Sequence, residues 1–153
     1  MPNDLLDAVI ASLENNAAFN LAFGDTWNQA AQTGTAKVFA DVADQVPVPY
    51  AILTEAGETY DYMTAVAGGA VNYTSQGTMQ VDIWAADRYQ TRTLGLVIGK
   101  TLNDGPVAWP LANTMSFRLA RSMFVPAPGQ SGPGVAIIFH RVFIFEYYYS
   151  GVM

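Results

Sequence analysis

Residues 78–102 read TMQVDIWAADRYQTRTLGLVIGKTL, and the spacing of their apolar side chains changes at Asp87. In TMQVDIWA the apolar side chains alternate with polar ones, which is the period of a half-buried strand. Beyond Asp87, Leu94, Ile98 and Leu102 recur at four-residue steps, which is the spacing of one face of a helix. This stretch therefore predicts a strand that runs into a helix, and the helix begins at Asp87.

The same stretch contains GLVIGKT at Gly95–Thr101, one residue short of a phosphate-binding loop. Such a loop binds phosphate because it lies between a strand and the N-terminus of a helix. Here the residues before Gly95 already have helical spacing, so the glycines are interpreted as a site of close packing against a sheet. Lys100 is then a surface or interface charge. A small nucleotide-binding enzyme that uses Gly95–Thr101 remains the less favoured alternative.

Together with residues 78–102, the rest of the chain predicts elements in the order helix, three strands, helix, two strands. The first helix covers residues 4–15, with Asn3 as its N-cap. Residues 15–35 are expected to form a long connection with a short second helix. Its expected core side chains are Phe19, Leu21, Phe23 and Trp27. The strands are expected in AKVFADVAD, YAILTEAG, GTMQVDIWAAD, MSFRLARSMFV and VAIIFHRVFIFEYYYS.

These elements predict an α+β fold with a mainly antiparallel sheet and helices packed on one face. The last two strands are expected to form a long hairpin joined by the Pro/Gly-rich residues 126–134. The last strand is expected to be the longest. Because both of its faces are largely apolar, it is either a central strand covered on both sides or a strand covered by a partner. Arg121 is expected on the same face of its strand as Phe117 and Leu119. Pro49 is expected to begin a strand at a sheet edge, because proline cannot donate a ladder hydrogen bond.

The composition describes one apolar domain over residues 1–153, with 51% hydrophobic and 13% charged residues. So much apolar surface is expected to be covered in part by neighbouring subunits. The charge is uneven: residues 1–61 hold nine acidic groups and one basic group, whereas residues 62–153 hold four acidic and six basic groups. This asymmetry allows one acidic and one mildly basic face. The net charge of −6 argues against tight general binding to DNA.

The sequence offers little for catalysis or for a cofactor. It has no cysteine, so it can form neither a disulfide nor a thiolate metal site. His140 is the only histidine and lacks clustered ligands, so we expect a packed or surface side chain and no metal. No Gly-x-Ser-x-Gly elbow is present. We therefore expect no enzyme activity and no cofactor.

Asp4 and Asp7 do not suit a signal peptide, which needs positive charge near its start. The uncharged residues 62–81 are too polar for a membrane span.

The C-terminal aromatic run FIFEYYY at residues 143–149 has two interpretations. It is long and aromatic for the core of a small sheet, whereas Tyr and Phe are enriched where subunits meet. An interface is therefore favoured. For residues 126–134 two alternatives stay open: a free hairpin end, or an arm that reaches a neighbouring subunit.

Taken together, these segments resemble the tail terminator, or tail completion, proteins of long-tailed bacteriophages. The similarity covers most of the chain. The segments that carry it are the helix LLDAVIASLENNAAF, the strand VPVPYAIL, the strand and helix TMQVDIWAADRYQTRTLGLVIGKTL and the ending FHRVFIFEYYY. Residues 20–35 and 126–134 are longer than the usual compact pattern of that family.

The resemblance implies a structural virion protein at the head–tail junction, assembled in the host cytoplasm. Its implied partners are five further copies in a six-fold ring, the tail tube protein, the head-closure or connector protein and, transiently, phage DNA in the lumen. A head-closure or neck protein of the same junction is the alternative. The residues expected to contact the tube, the neck, DNA or a neighbouring subunit are Arg88, Arg92, Arg118, Arg121, Arg141, Pro126, Pro128, Gly129, Pro133, Tyr147, Tyr148 and Tyr149.

Overall fold

The computed structural model describes residues 4–43, 46–65, 69, 71–105, 107–109, 112, 114–126 and 138–152. These parts of the chain contain, in order, α1 (Leu5–Glu14), α2 (Ala17–Phe23), β1 (Val38–Ala40), β2 (Tyr50–Ala65), β3 (Val71–Ala85), α3 (Arg88–Asp104), β4 (Thr114–Val125) and β5 (Phe139–Val152). The α+β class and the order of the elements are as predicted, and α2 is the short second helix.

The five strands form a sheet in the order β1-β2-β3-β5-β4. β1 runs parallel to β2, and the other neighbouring strands are antiparallel. β4 pairs with β5 over almost its whole length, from Thr114 opposite Ser150 to Val125 opposite His140. The predicted C-terminal strand pair is therefore present, and β4 forms one edge of the sheet.

Within the described residues β2 is the longest strand, with 16 residues against 14 in β5, so the prediction that the last strand is the longest was wrong. β2 pairs with β3 from Tyr50 opposite Trp84 to Ala65 opposite Val71. The sequence between these ends lacks a clear period of two because two irregularities, between Glu55 and Gly57 and between Tyr60 and Tyr62, shift the register.

Side chains at the helix N-termini explain where the helices begin. Asp4, rather than Asn3, caps α1 by accepting a hydrogen bond of 2.9 Å from the backbone N–H of Leu6. Asn16 caps α2 in the same way. The predicted start of α3 is confirmed: Asp87 is its N-cap and accepts from the backbone N–H of Tyr89 at 2.6 Å.

The helices cover one face of the sheet, as predicted. α3 contacts β3, β4 and β5, while α1 contacts β1, β2 and the other two helices. Phe143 and Phe145 on β5 lie beneath α3 and are each 1% exposed. The core between the helices and the sheet is thus centred on the face of β5 that carries its odd-numbered residues.

Three local predictions were wrong. An irregularity between Leu119 and Arg121 reverses the alternation of β4, so Arg121 lies opposite Ile144 and not on the face of Phe117. Leu21 is 87% exposed, because the buried face of α2 is formed by its phenylalanines. β2 does not begin at a sheet edge, since its first residues lie between β1 and β3.

Candidate assembly surfaces

The Gly95–Thr101 stretch lies inside α3, seven residues after the helix begins. A methyl group on Gly95 would overlap the ring of Phe143, whereas one on Gly99 would lie 3.6 Å from Phe145, an ordinary contact. Only Gly95 is therefore required by close packing, which corrects the prediction that both glycines are. The Thr101 hydroxyl donates to the carbonyl of Val97 at 2.9 Å, as expected for a helical threonine.

Lys100 points away from the sheet. Its Nζ lies 3.5 Å from Asp104, one turn further along α3, and its side chain is 80% exposed. Exposed pairs at this spacing contribute about 0.3–0.5 kcal/mol. The lysine that made GLVIGKT look like a nucleotide site is thus a surface charge of the helix.

Three of the five candidate arginines lie together at one end of α3. The guanidinium of Arg88 lies 4.4 Å from the centre of the Phe124 ring, and that of Arg141 lies 5.7 Å from the same ring. Arg141 is 5% exposed, and its Nε donates to the hydroxyl of Thr91 at 3.3 Å. Burial, and next the positive charges of Arg92 and Arg88, lower the pKa of Arg141. We call Arg88, Arg92 and Arg141 the arginine cluster.

The other two candidate arginines lie on the opposite face of the sheet, which no helix of the described chain covers. Arg118 forms an ion pair with Glu146 of the neighbouring strand. Arg121 is exposed. The structure therefore places three of the five arginines on the helix-covered side of the sheet and two on its uncovered face.

The uncovered face also carries an aromatic row that the sequence did not reveal. Trp84 stacks on His140 at 4.2 Å between ring centres and on Tyr50 at 5.2 Å. His140 Nε2 lies 2.7 Å from Asp82 Oδ1, and Gln80 donates to the other oxygen of Asp82 at 2.8 Å. These residues come from three strands, so only the register brings them together. His140 is a packed side chain, as predicted, and no group of three metal-ligating residues occurs among the described residues.

The three C-terminal tyrosines differ in their surroundings. Tyr147 and Tyr149 are 0% and 4% exposed and lie on the helix-covered side, whereas Tyr148 is 38% exposed on the other face. The Tyr147 hydroxyl lies 3.1 Å from Glu55 and 3.0 Å from Glu58, and Tyr149 donates to Glu58. Burial and the two carboxylates raise the pKa of Tyr147. Of the three, Tyr148 alone presents a large exposed surface.

The Pro/Gly-rich segment is described only at its start. Pro126 is exposed directly after β4. Pro128, Gly129 and Pro133 lie outside the described residues, so their expected interface roles stay predictions. In the described parts of the chain, no helix has the length and the apolar character needed to cross a bilayer.

A second feature that the sequence did not reveal is a buried carboxyl pair. Glu14 at the end of α1 and Asp25 after α2 are 5% and 4% exposed. Asp25 accepts from the backbone N–H groups of Trp27 and Lys37, both at 2.9 Å, and Glu14 accepts from Gln29 at 2.8 Å. Burial, and next the charge of Asp25, raises the pKa of Glu14 to about 8. Glu14 therefore stays protonated at neutral pH.

Comparison with solved structures finds the same fold in a virion protein. The chain is similar to a chain in the virion of a native gene transfer agent (GTA) particle, with a TM-score of 0.50 and 14% sequence identity. The alignment covers 96% of this chain and 95% of that chain. No protein-family model and no curated protein sequence matches. The chain therefore shares its whole fold, from α1 to β5, with a component of that virion.

Proposed function

We propose that this chain is a phage-like structural virion protein: a tail terminator whose ring caps the tail tube and joins it to the head connector. The observation that carries the proposal is the fold shared with a GTA virion chain over 96% of this chain. Proteins of one fold can differ in function. The assembly role therefore also needs support from the surface of this chain, apart from the shared fold.

Two features of the surface support assembly. One face of the sheet has no covering layer in the described chain, yet it carries the half-buried Trp84 and His140 together with exposed Met123 and Tyr148. Exposed apolar groups rimmed by polar ones are typical of protein–protein contacts. In the arginine cluster Arg88 and Arg92 are exposed and Arg141 is buried beside them, and none of the three has an ion-pair partner in the described residues. An assembly role uses both features and requires no chemistry from the chain.

Within the virion we propose a six-fold ring at the head–tail junction, with the tail tube protein on one side and the head-closure or connector protein on the other. DNA would pass through the central hole. The ring would act by ending polymerisation of the tube and by offering a docking surface to the neck.

Ring formation is tested by light scattering and negative-stain imaging of the purified chain, alone and with tail tubes. We expect particles of six chains with a central hole, either in solution or at the ends of tubes. A chain that stays monomeric in both conditions would contradict the ring. Particles that bind the head connector but never a tube would instead identify a head-closure protein.

A further inference from the structure

The β4 edge of the sheet is basic. Arg118 and Arg121 lie on this outermost strand, and Arg88 reaches it by contact with Phe124. Arg88 and Arg121 are exposed, and neither forms an ion pair with a carboxylate of the described residues. The positive charge of this edge is thus only partly compensated, by Glu146 on Arg118.

The opposite edge, at β1, is acidic. Asp41 follows β1 directly and is exposed, and its backbone N–H donates to the carbonyl of Leu53 at 2.9 Å, which fixes its position. Asp7 is exposed on α1, which packs on β1 and β2. Lys37, the only Lys or Arg in residues 1–61, is 8% exposed, and its Nζ donates to the carbonyl of Pro47 at 2.7 Å. It therefore leaves the charge of Asp41 uncompensated.

The two charged edges lie at the same level along the strands. The register joins Thr54, Gln80, Ile144 and Arg121 into one row across the sheet. The backbone N–H of Asp41 donates a hydrogen bond to the carbonyl of Leu53, which precedes Thr54 on β2. Four strand spacings separate the edges by about 19 Å. Asp41 and Arg121 therefore cannot meet within one chain, but they can meet between two chains placed side by side.

Each edge also carries an exposed apolar side chain beside its charges. Val42 is 77% exposed next to Asp41, and Met123 is 43% exposed near Arg121. Neither β1 nor β4 has a further partner strand in the described sheet, and such edges are places where another chain can dock. Like charges would oppose contact between two β4 edges or two β1 edges. The favoured contact therefore joins unlike edges.

We infer that the β4 edge of one copy docks on the β1 edge of a second copy, head to tail, with the exposed arginines of one facing Asp41 of the other. A head-to-tail contact uses two different surfaces of each chain, so its repetition can close a ring, whereas a two-fold contact would stop at a dimer. The inference rests on the proposed ring and specifies the contact between its subunits.

The test uses two variants with reversed charge. Arg88→Glu with Arg121→Glu makes the β4 edge acidic. Asp41→Asn with Val42→Lys makes the β1 edge basic, and asparagine suits the left-handed backbone of residue 41, whose φ is 63°. All four side chains are exposed, so folding should be retained, and circular dichroism checks this. Lys100→Glu, a reversal at an exposed position of α3 twelve residues after Arg88, is the control.

Each variant alone should self-associate about a hundredfold more weakly than the unchanged chain, because like charges then face each other. The equimolar mixture should restore the ring, with the two variants alternating, and the control should assemble normally. Assembly is measured by light scattering and at tube ends.

Two results would overturn the inference while leaving the ring intact: variants that assemble alone as the unchanged chain does, or a mixture that fails although each variant is folded. An unchanged chain that is monomeric in solution and at tube ends would overturn the ring and this contact together.

Discussion

Gly95→Ala should lower the free energy of unfolding by about 3 kcal/mol, although alanine is the better helix former. A methyl group at this position would overlap three ring atoms of Phe143, which is 1% exposed and enclosed by the core. The ring cannot move aside without displacing α3 or its neighbours on the sheet. Urea denaturation measures the change.

Gly99→Ala is the matched control, one turn further along the same helix. Its methyl group would make an ordinary contact of 3.6 Å with Phe145. The gain in helix propensity should then raise the free energy of unfolding by up to about 1 kcal/mol. Equal effects of the two substitutions would show that α3 does not approach β5 as described.

Glu14→Gln should stabilise the chain above pH 8 by on the order of 5 kcal/mol and have little effect near pH 4.5. The folded chain raises the pKa of Glu14 from 4.5 to about 8. The stability that Glu14 contributes is therefore fully present below pH 4.5, and it is lost as the pH rises towards 8. Ionised Glu14 would also leave its buried Oε2 without a donor.

Glutamine imitates the protonated acid, because it can still accept from Gln29 and can donate to Asp25. The measurement is the free energy of unfolding from pH 4.5 to pH 9.5 for both chains. Asp7→Asn removes an exposed carboxylate from the same helix and controls for net charge. A difference between Glu14→Gln and the unchanged chain that is independent of pH would contradict the assignment of a protonated Glu14.

The local signals in the sequence were reliable where a period and a cap agreed. Asp87 lies where the period changes from two to four, and the structure begins α3 there. The alternation in β5 likewise placed Phe143 and Phe145 on one face, and both are buried. These signals depend only on residues that are close in the sequence, so they can be recognised in one sequence without a structure.

Structural features that depend on strand register could not be predicted from the sequence. The irregularity after Leu119 turns Arg121 to the other face, and nothing in the sequence RLARS marks it. The stack of Trp84 on His140 requires two strands 56 residues apart in sequence to pair in one register. The arginine cluster has the same origin, since Arg141 joins it through the packing of β5 against α3.

The aromatic C-terminus shows why composition alone was insufficient. Tyr147 and Tyr149 were expected at an interface because the run is so rich in aromatic residues. The structure places both on the helix-covered side of the sheet. There the Tyr147 hydroxyl donates to Glu55 and Glu58, and the Tyr149 hydroxyl donates to Glu58. A tyrosine can be buried when its hydroxyl has a partner. Those partners lie on β2, about 90 residues earlier in the chain.

The central claim, that this chain ends a tail tube, is tested most directly on growing tubes. The tail tube protein of the same particle is polymerised with and without this chain, and tube length and tube ends are imaged by electron microscopy. We predict shorter tubes that carry a six-fold ring at one end only and that no longer grow when tube protein is added. Tubes of unchanged length with bare ends, at concentrations where the chain is folded and in excess, would contradict it.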